Sequence, residues 1–247
     1  MAFDLSSITA GPRQQPPRLF LYGPHGVGKT TFGCSAPDPI VIQTEDGLGT
    51  LETPAFPLAL TCDDVIEAIY SLYQEKHDFK TVVLDSADWL DNLIQRQVRE
   101  THDEKALAYG KDALLVAERW REVLDGFNAL RTDKAMTVIL LAHCEVKRAD
   151  PPDGDSYERY QPKLLGRSSA LVQEWADAVL FANFKILVKD EMVGKNKDTK
   201  IKKPLPTNER ILHTGERPAY LAKNRYGLPS ELPMDWSAFN AAMPVPF

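Results

Sequence analysis

Gly23-Pro24-His25-Gly26-Val27-Gly28-Lys29-Thr30 is a stretch whose residue types and spacing specify a ligand. Glycines at positions 23, 26 and 28 let backbone N–H groups turn inward around an anion. Lys29 sets an ammonium against the outer oxygens of a polyphosphate, and Thr30 offers a hydroxyl to the Mg²⁺ that travels with it. With Thr31 continuing the turn, Gly23 to Thr31 form the expected nucleotide-binding set. The pattern G-x-x-x-x-G-K-[ST] requires a hydrophobic strand before it and a helix after it. Arg18 to Tyr22 supplies the first; Lys29 to Phe32 opens the second, which Pro37 and Pro39 close. The group that fits is Mg·ATP or a close relative.

A metal held there needs a further oxygen ligand. Thr81-Val82-Val83-Leu84 is a β-branched run ending on Asp85, and in an open α/β sheet ligands gather at such strand ends. Asp85 is therefore the expected Mg²⁺ partner of Thr30, although it is also placed to cap the helix that follows. Thr44-Glu45-Asp46 comes directly after the apolar run Ile40 to Gln43, which puts Glu45 at the same edge. A carboxylate there orients and deprotonates an attacking water. His143 ends the run Met136 to Leu141, where a polar side chain would sense the γ-phosphate. Singly, these are a solvated acid, a helix cap and a loop histidine; in this order they make a hydrolytic site with Lys29.

Alternating strands and helices must position that set. A helix capped by Asp63 or Asp64 runs to about Lys76; others cover Ala87 to Gln97 and Asp112 to Leu130. The implied class is α/β, a mostly parallel central sheet flanked by helices on both faces. Glu145 to Gly166 reads as a long polar loop. Ala176–Ala182 and Phe184–Lys189 read as a strand pair, and Tyr220–Ala222 as a last strand, giving a C-terminal antiparallel extension. Residues 1–17 are a lead-in, 18–228 a single ATPase-type domain, and 229–247 a Pro-rich tail over the surface.

Composition narrows the class. Of 247 residues, 43% are hydrophobic and 26% charged, as in ordinary globular chains. No apolar run approaches the roughly 20 residues a membrane span needs, so no membrane partner is expected. Cys34, Cys62 and Cys144 lack metal-ligand spacing and read as reduced thiols, which fits the cytoplasm. A net charge of −6 excludes a uniformly basic surface but not a local cationic track. A GTPase would carry N-K-x-D; Asn196-Lys197-Asp198 is one residue short. Nothing marks the lid or acceptor site of a small-molecule kinase.

The ordered motifs resemble those of RecA-like ATPases across roughly Arg18 to Pro229. "LYGPHGVGKTTF" looks like their Walker A segment, "IVIQTEDG" like the strand bearing their catalytic glutamate, "VVLDSADWL" like Walker B, and "VILLAHCEV" like the sensor strand. "YLAKNRYGLP" resembles the K-x-R segment of hexameric relatives, which implies that Lys223 and Arg225 reach a neighbouring subunit's γ-phosphate. Within this superfamily the chain is similar to short phage ATPases of the Sak type. That resemblance implies a RecA-like P-loop core, ATP and Mg²⁺ as cofactors, and a homo-oligomeric ring or filament with ATP between subunits. It further implies single-stranded DNA and a single-strand-binding protein as partners, annealing or strand exchange as the task, and the host cytoplasm as the setting. A second reading is a nucleotide-gated loader or scaffold with little turnover.

In RecA-like proteins the segment after the sensor strand touches DNA. Its counterpart carries Lys147, Arg148 and Arg159, with Tyr157 and Tyr160 as candidate stacking faces. Lys185 to Lys203 holds seven lysines against three acids, and Lys195, Lys197, Lys200, Lys202 and Lys203 could follow a phosphate backbone. A solvated loop and a lysine-protected hairpin edge are the plainer alternatives.

Overall fold

The computed structural model describes residues 15–193 and 199–245, with backbone alone described over 187–193 and 199–206. Near-continuous apolar runs make strands that are buried on both faces, the mark of a parallel sheet covered by helices. β1 (Arg18–Gly23) lies between β4 (Thr137–Ala149) and β6 (Ala178–Val193), and β3 (Thr81–Asp85) then β2 (Pro39–Gln43) continue outward from β4. All four pairings are parallel. Antiparallel additions complete the sheet. β7 (Thr199–His213) pairs β6 and carries β9 (Glu231–Pro233); β8 (Lys223–Asn224) pairs the start of β6, and β5 (Tyr157–Pro162) pairs the far end of β4.

Period-two alternation divides the core. Phe20, Tyr22, Val82, Leu84, Val138 and Leu140 face one layer. That layer is built from α2 (Cys62–Gln74), α3 (Ala87–Thr101), α5 (Lys111–Asp133) and α6 (Gly166–Trp175), with the single turn α4 (Glu104–Leu107) leading into α5. Leu19, Leu21, Val83, Ile139 and Leu141 face the other layer, under α1 (Lys29–Cys34) and α7 (Trp236–Ala242). Thr61, rather than Asp63 or Asp64, is the N-cap of α2; Asp64 completes the reciprocal capping box.

Four expectations change. Glu145 to Gly166 is not a loop: β4 continues past His143 to Ala149 and returns as β5, a ribbon held by six register pairs. The two strands expected around Asn183 are one, because a bulge between Phe184 and Ile186 absorbs the irregularity while pairing with β7 continues. The last strand is Lys223–Asn224, and Tyr220 makes only isolated bridges. The segment after Leu228 does not merely wrap the surface. It adds β9 to the sheet and sends Trp236, Phe239 and Met243 into the core beside Phe32.

Asp177, at the foot of β6, ties the sheet's lower edge together. Its carboxylate accepts from Arg18 Nη2 at 2.8 Å, Arg131 Nη2 at 3.2 Å and Arg225 Nη1 at 3.3 Å. Burial alone would push this carboxyl up, but the Arg18 hydrogen bonds and the nearby guanidinium charges outweigh it and hold the pKa below the usual aspartate value. Asp177→Asn leaves buried guanidinium charge uncompensated and is expected to destabilise the fold by about 3 kcal/mol at pH 7. With the folded pKa depressed, this contribution is present above the unfolded value of about 4 and disappears as pH falls through the folded one. Urea midpoints of both proteins should therefore differ at pH 7 and converge in strong acid.

Candidate nucleotide site

Parallel strands all point their C-terminal ends at one edge, and the chemistry-bearing residues collect there. β1 delivers Gly23, whose register partner on β4 is His143. The chain then turns through Pro24 to Gly28 with positive φ at Gly26 (73°) and Gly28 (100°), and α1 starts at Lys29. Val27 is fully buried and anchors the loop in the α1 layer. His25, Gly26 and Thr31 line the open side of a cavity of about 440 Å³, together with Gly28, Lys29, Thr30, Glu45, Asp85, His143 and Arg210.

Lys29 is folded into the loop, its ammonium donating to the Gly23 and Pro24 carbonyls at 3.1 Å each. Burial lowers its pKa, an effect that the nearby Asp85 and Asp88 carboxylates oppose. An anion in the loop would supply the charge this buried ammonium lacks. Thr30 Oγ1 donates to Asp85 Oδ2 at 2.6 Å. The hydroxyl and carboxylate thus converge as an all-oxygen donor pair, which fits a hard cation such as Mg²⁺ that keeps most of its waters. Burial pushes the Asp85 carboxyl above its ordinary value although Thr30 and Lys29 stand beside it. A bound cation would reverse that shift.

Glu45 follows β2 at the same edge, held through Thr44. The Thr44 amide donates to the Asp85 carbonyl at 2.8 Å, and its hydroxyl accepts from the Ser86 amide at 2.8 Å. Partial burial raises the Glu45 carboxyl, while His143 works in the opposite direction. His143 Nε2 lies 3.9 Å from Glu45 Oε1, and its Nδ1 is 3.0 Å from Asp88 Oδ2. The His143 amide also donates to Asp88 Oδ1 at 3.0 Å. Asp88 therefore holds His143 by both its ring Nδ1 and its backbone amide and turns Nε2 toward Glu45. The His25 ring stacks on His143 with centroids 3.9 Å apart, and His143, partial burial and Lys29 together keep His25 less basic than usual.

Asp88 and Arg210 join this site without having been singled out in the sequence. The only local signal for Asp88 is its i+3 spacing from Asp85 on the first turn of α3; Arg210 comes from the antiparallel extension and has none.

Other sequence-marked residues lie elsewhere. Lys223 pairs with Val179, which is level with Phe20, about 10 Å back along the strands from Gly23. Its ammonium donates to the Gln173, Glu174 and Ala176 carbonyls at 2.7–3.0 Å, which caps the C-terminus of α6. Arg225 holds Asp177 yet stays half exposed. Neither belongs to its own chain's phosphate cavity.

Lys147, Arg148 and Arg159 stand on the β4–β5 ribbon, with Lys147 directly opposite Arg159. Glu145, Asp150 and Glu216 pair with them in turn, at 2.6, 2.8 and 3.3 Å. Tyr157 is partly buried, and Tyr160 stacks on Phe181 within the chain. Lys200, Lys202 and Lys203 lie on β7 across from Met192, Asp190 and Lys189; Lys195 and Lys197 fall outside the described residues. Among the described residues no helix is long and apolar enough to cross a membrane.

No curated protein matches the sequence. Among solved structures the chain is similar to the RadB recombinase, at 13% identity and a TM-score of 0.48, over 91% of this chain and 90% of that one. A family model described as AAA domain matches residues 15–226, which includes the phosphate loop, Glu45, Asp85, His143 and Arg210. With a family model matching most of its length and a phosphate loop at the C-terminal edge of its mostly parallel sheet, the chain belongs to the AAA domain family.

Proposed function

We propose that this ATPase hydrolyses Mg·ATP and couples the nucleotide's state to binding of single-stranded DNA, as an assembled recombination protein of the phage Sak type. The observation that carries the DNA part is the continuity of β4. One strand runs from His143, at the nucleotide, to Lys147 four residues on, which has the same side-chain parity and stands opposite Arg159. Like charges directly opposed across strands are unfavourable, and a phosphate between them relieves that. Glu145, Asp150 and Glu216, now paired with these cations, sit in ion pairs with at least one partner open to solvent, which contribute little and which a nucleic-acid backbone can replace.

In this reading Lys29 and the loop amides bind the phosphates, Thr30 and Asp85 hold Mg²⁺, and Glu45 takes the proton of the attacking water. His143, fixed by Asp88, senses the γ-phosphate. Bound Mg²⁺ supplies charge neutralisation between the outer phosphates. Neither Lys223 nor Arg225 lines its own chain's loop, and in an assembly the half-exposed Arg225 would contribute to the interface with a neighbouring copy. A single-strand-binding protein is the accompanying partner that the resemblance supplies.

Single-strand affinity, measured at low salt with a non-hydrolysable ATP analogue, tests the proposal. The combined variant Lys147→Ala, Arg148→Ala, Arg159→Ala should bind more weakly and lower the log–log salt slope by about 2, at roughly 0.7 for each phosphate that is no longer neutralised. Negligible binding by the unmodified protein, or a slope unchanged in the variant, would remove DNA from the proposal. ATP turnover and particle size, followed with and without DNA, test the coupling and the assembly.

A further inference from the structure

We propose that Arg210 is a phosphate-contacting catalytic cation supplied in cis, so that the chain completes its own charge clamp without a neighbour's arginine. The proposal rests on the nucleotide-binding reading of the cavity and is independent of DNA.

Three observations carry it. First, a Cβ built on Gly28 would lie 2.7 Å from Arg210 Nη1 and 3.6 Å from Cζ, so the guanidinium rests directly over the phosphate loop. Second, Arg210 lines the same cavity as Gly28, Lys29, Thr30, Glu45 and Asp85. Third, among the described residues no carboxylate pairs with the Arg210 side chain, a condition it shares with Arg96, Arg99, Arg121, Arg167 and Arg217, but of these only Arg210 lines the phosphate cavity. An exposed guanidinium held over an anion cradle with no counter-charge is prepared for an anion.

Its backbone is fixed on both sides. Arg210 is the register partner of Phe184 on β6, and its carbonyl accepts from the Met234 amide at 3.0 Å, beside β9. The C-terminal segment thereby sets the position of the guanidinium. Lys223 and Arg225, the cations that the K-x-R pattern suggests, are engaged at the other end of the sheet.

The chemistry is hydrolysis. The water oxygen forms a bond to the γ-phosphorus, the bond to the β–γ bridging oxygen breaks, and that electron pair stays on the terminal phosphate of ADP. The proton from water passes to Glu45. Charge grows on the leaving diphosphate, and a guanidinium above Gly28 lies on the phosphate chain where it stabilises that charge.

The test compares full-length wild type, Arg210→Ala, Arg210→Lys and Lys29→Ala in steady-state ATPase assays without DNA. Arg210→Ala should lose about 100-fold or more in kcat, toward the roughly 10³–10⁵ that arginine fingers contribute in cis or in trans, with Arg210→Lys intermediate. An unshifted melting temperature excludes misfolding, as expected for an exposed side chain. Lys29→Ala keeps Arg210 but loses the site's own ammonium, so mixing it in excess with Arg210→Ala should restore nothing. Turnover restored by mixing places Arg210 on a neighbour's nucleotide, and unchanged kcat and KM in Arg210→Ala remove its role; either result overturns the proposal. If wild-type turnover is slow, affinity for ADP and an ATP analogue decides instead: about tenfold weaker in Arg210→Ala supports the contact, and equal affinity overturns it. Should Lys29→Ala itself bind as wild type does, the nucleotide reading falls, an outcome distinct from the failure of Arg210 alone.

Discussion

Glu45→Gln is expected to lower kcat by about 10³, within the range for removal of a positioned general base, while affinity for an ATP analogue changes by less than about threefold. Glu45 stands at the end of β2, beside the Asp85 strand and facing His143 Nε2 at 3.9 Å. Glutamine keeps the shape and the polar contact but accepts no proton. Partial burial raises the carboxyl above the ordinary glutamate value, which makes its conjugate base stronger at neutral pH. The sign of the pH effect follows. Only the deprotonated form works as a base, so kcat should fall as pH drops through the raised Glu45 pKa, and this acid limb should vanish from the residual activity of Glu45→Gln. Single-turnover hydrolysis and equilibrium binding measure the two quantities separately. Equal turnover in wild type and variant would discard Glu45 as the base and favour the nucleotide-gated loader, for which turnover is incidental.

Much of this site was legible because its parts are local. A phosphate loop is eight consecutive residues between a strand and a helix, and Glu45, Asp85 and His143 each follow an apolar run that reads as a buried strand. What escaped detection is set by distance along the chain. Asp88 is informative only beside His143, 55 residues away, and no periodicity connects them. Arg210 reaches Gly28 from a strand whose partners are supplied by the β6 bulge and by β9. Lys223 and Arg225 illustrate the converse. The pattern K-x-R is visible in sequence, but what the two side chains touch depends on where α6 ends and on the charge of Asp177. His143 reads as a strand end because the apolar run stops near it. β4 nevertheless continues as a largely solvated strand of the β4–β5 ribbon, whose polar sequence is easily taken for a loop. In the last segment, Trp236, Phe239 and Met243 form a helical apolar stripe that the neighbouring prolines obscure.

Gly23→Ala should be the most damaging single-methyl change in the molecule, lowering stability by about 3 kcal/mol or more, at or beyond the upper end for overpacking. The added Cβ would lie 2.3 Å from the Ala182 carbonyl oxygen, with the carbonyl carbon and the Ala182 Cβ both at 3.2 Å. That oxygen belongs to the backbone of β6, where the strand leaves β1 and pairs with β7 through Ala182 and Leu212. No rotamer change relieves the contact, so β6 must move away from β1 and take β7 with it. Arg210 sits two residues before Leu212, and its displacement should reduce nucleotide affinity in whatever fraction remains folded. Gly26→Ala provides the contrast. Nothing lies within 4 Å of its Cβ, and only the positive φ of 73° is penalised, by about 1 kcal/mol. Urea midpoints of the two variants should separate accordingly. The double variant Gly23→Ala, Ala182→Gly isolates the cause. Removing the Ala182 methyl relieves one of the two 3.2 Å contacts but leaves the carbonyl at 2.3 Å, so stability should stay low. Recovery to near wild type would mean that the methyl groups, not the backbone, set the spacing between β1 and β6 at the entrance to the phosphate loop.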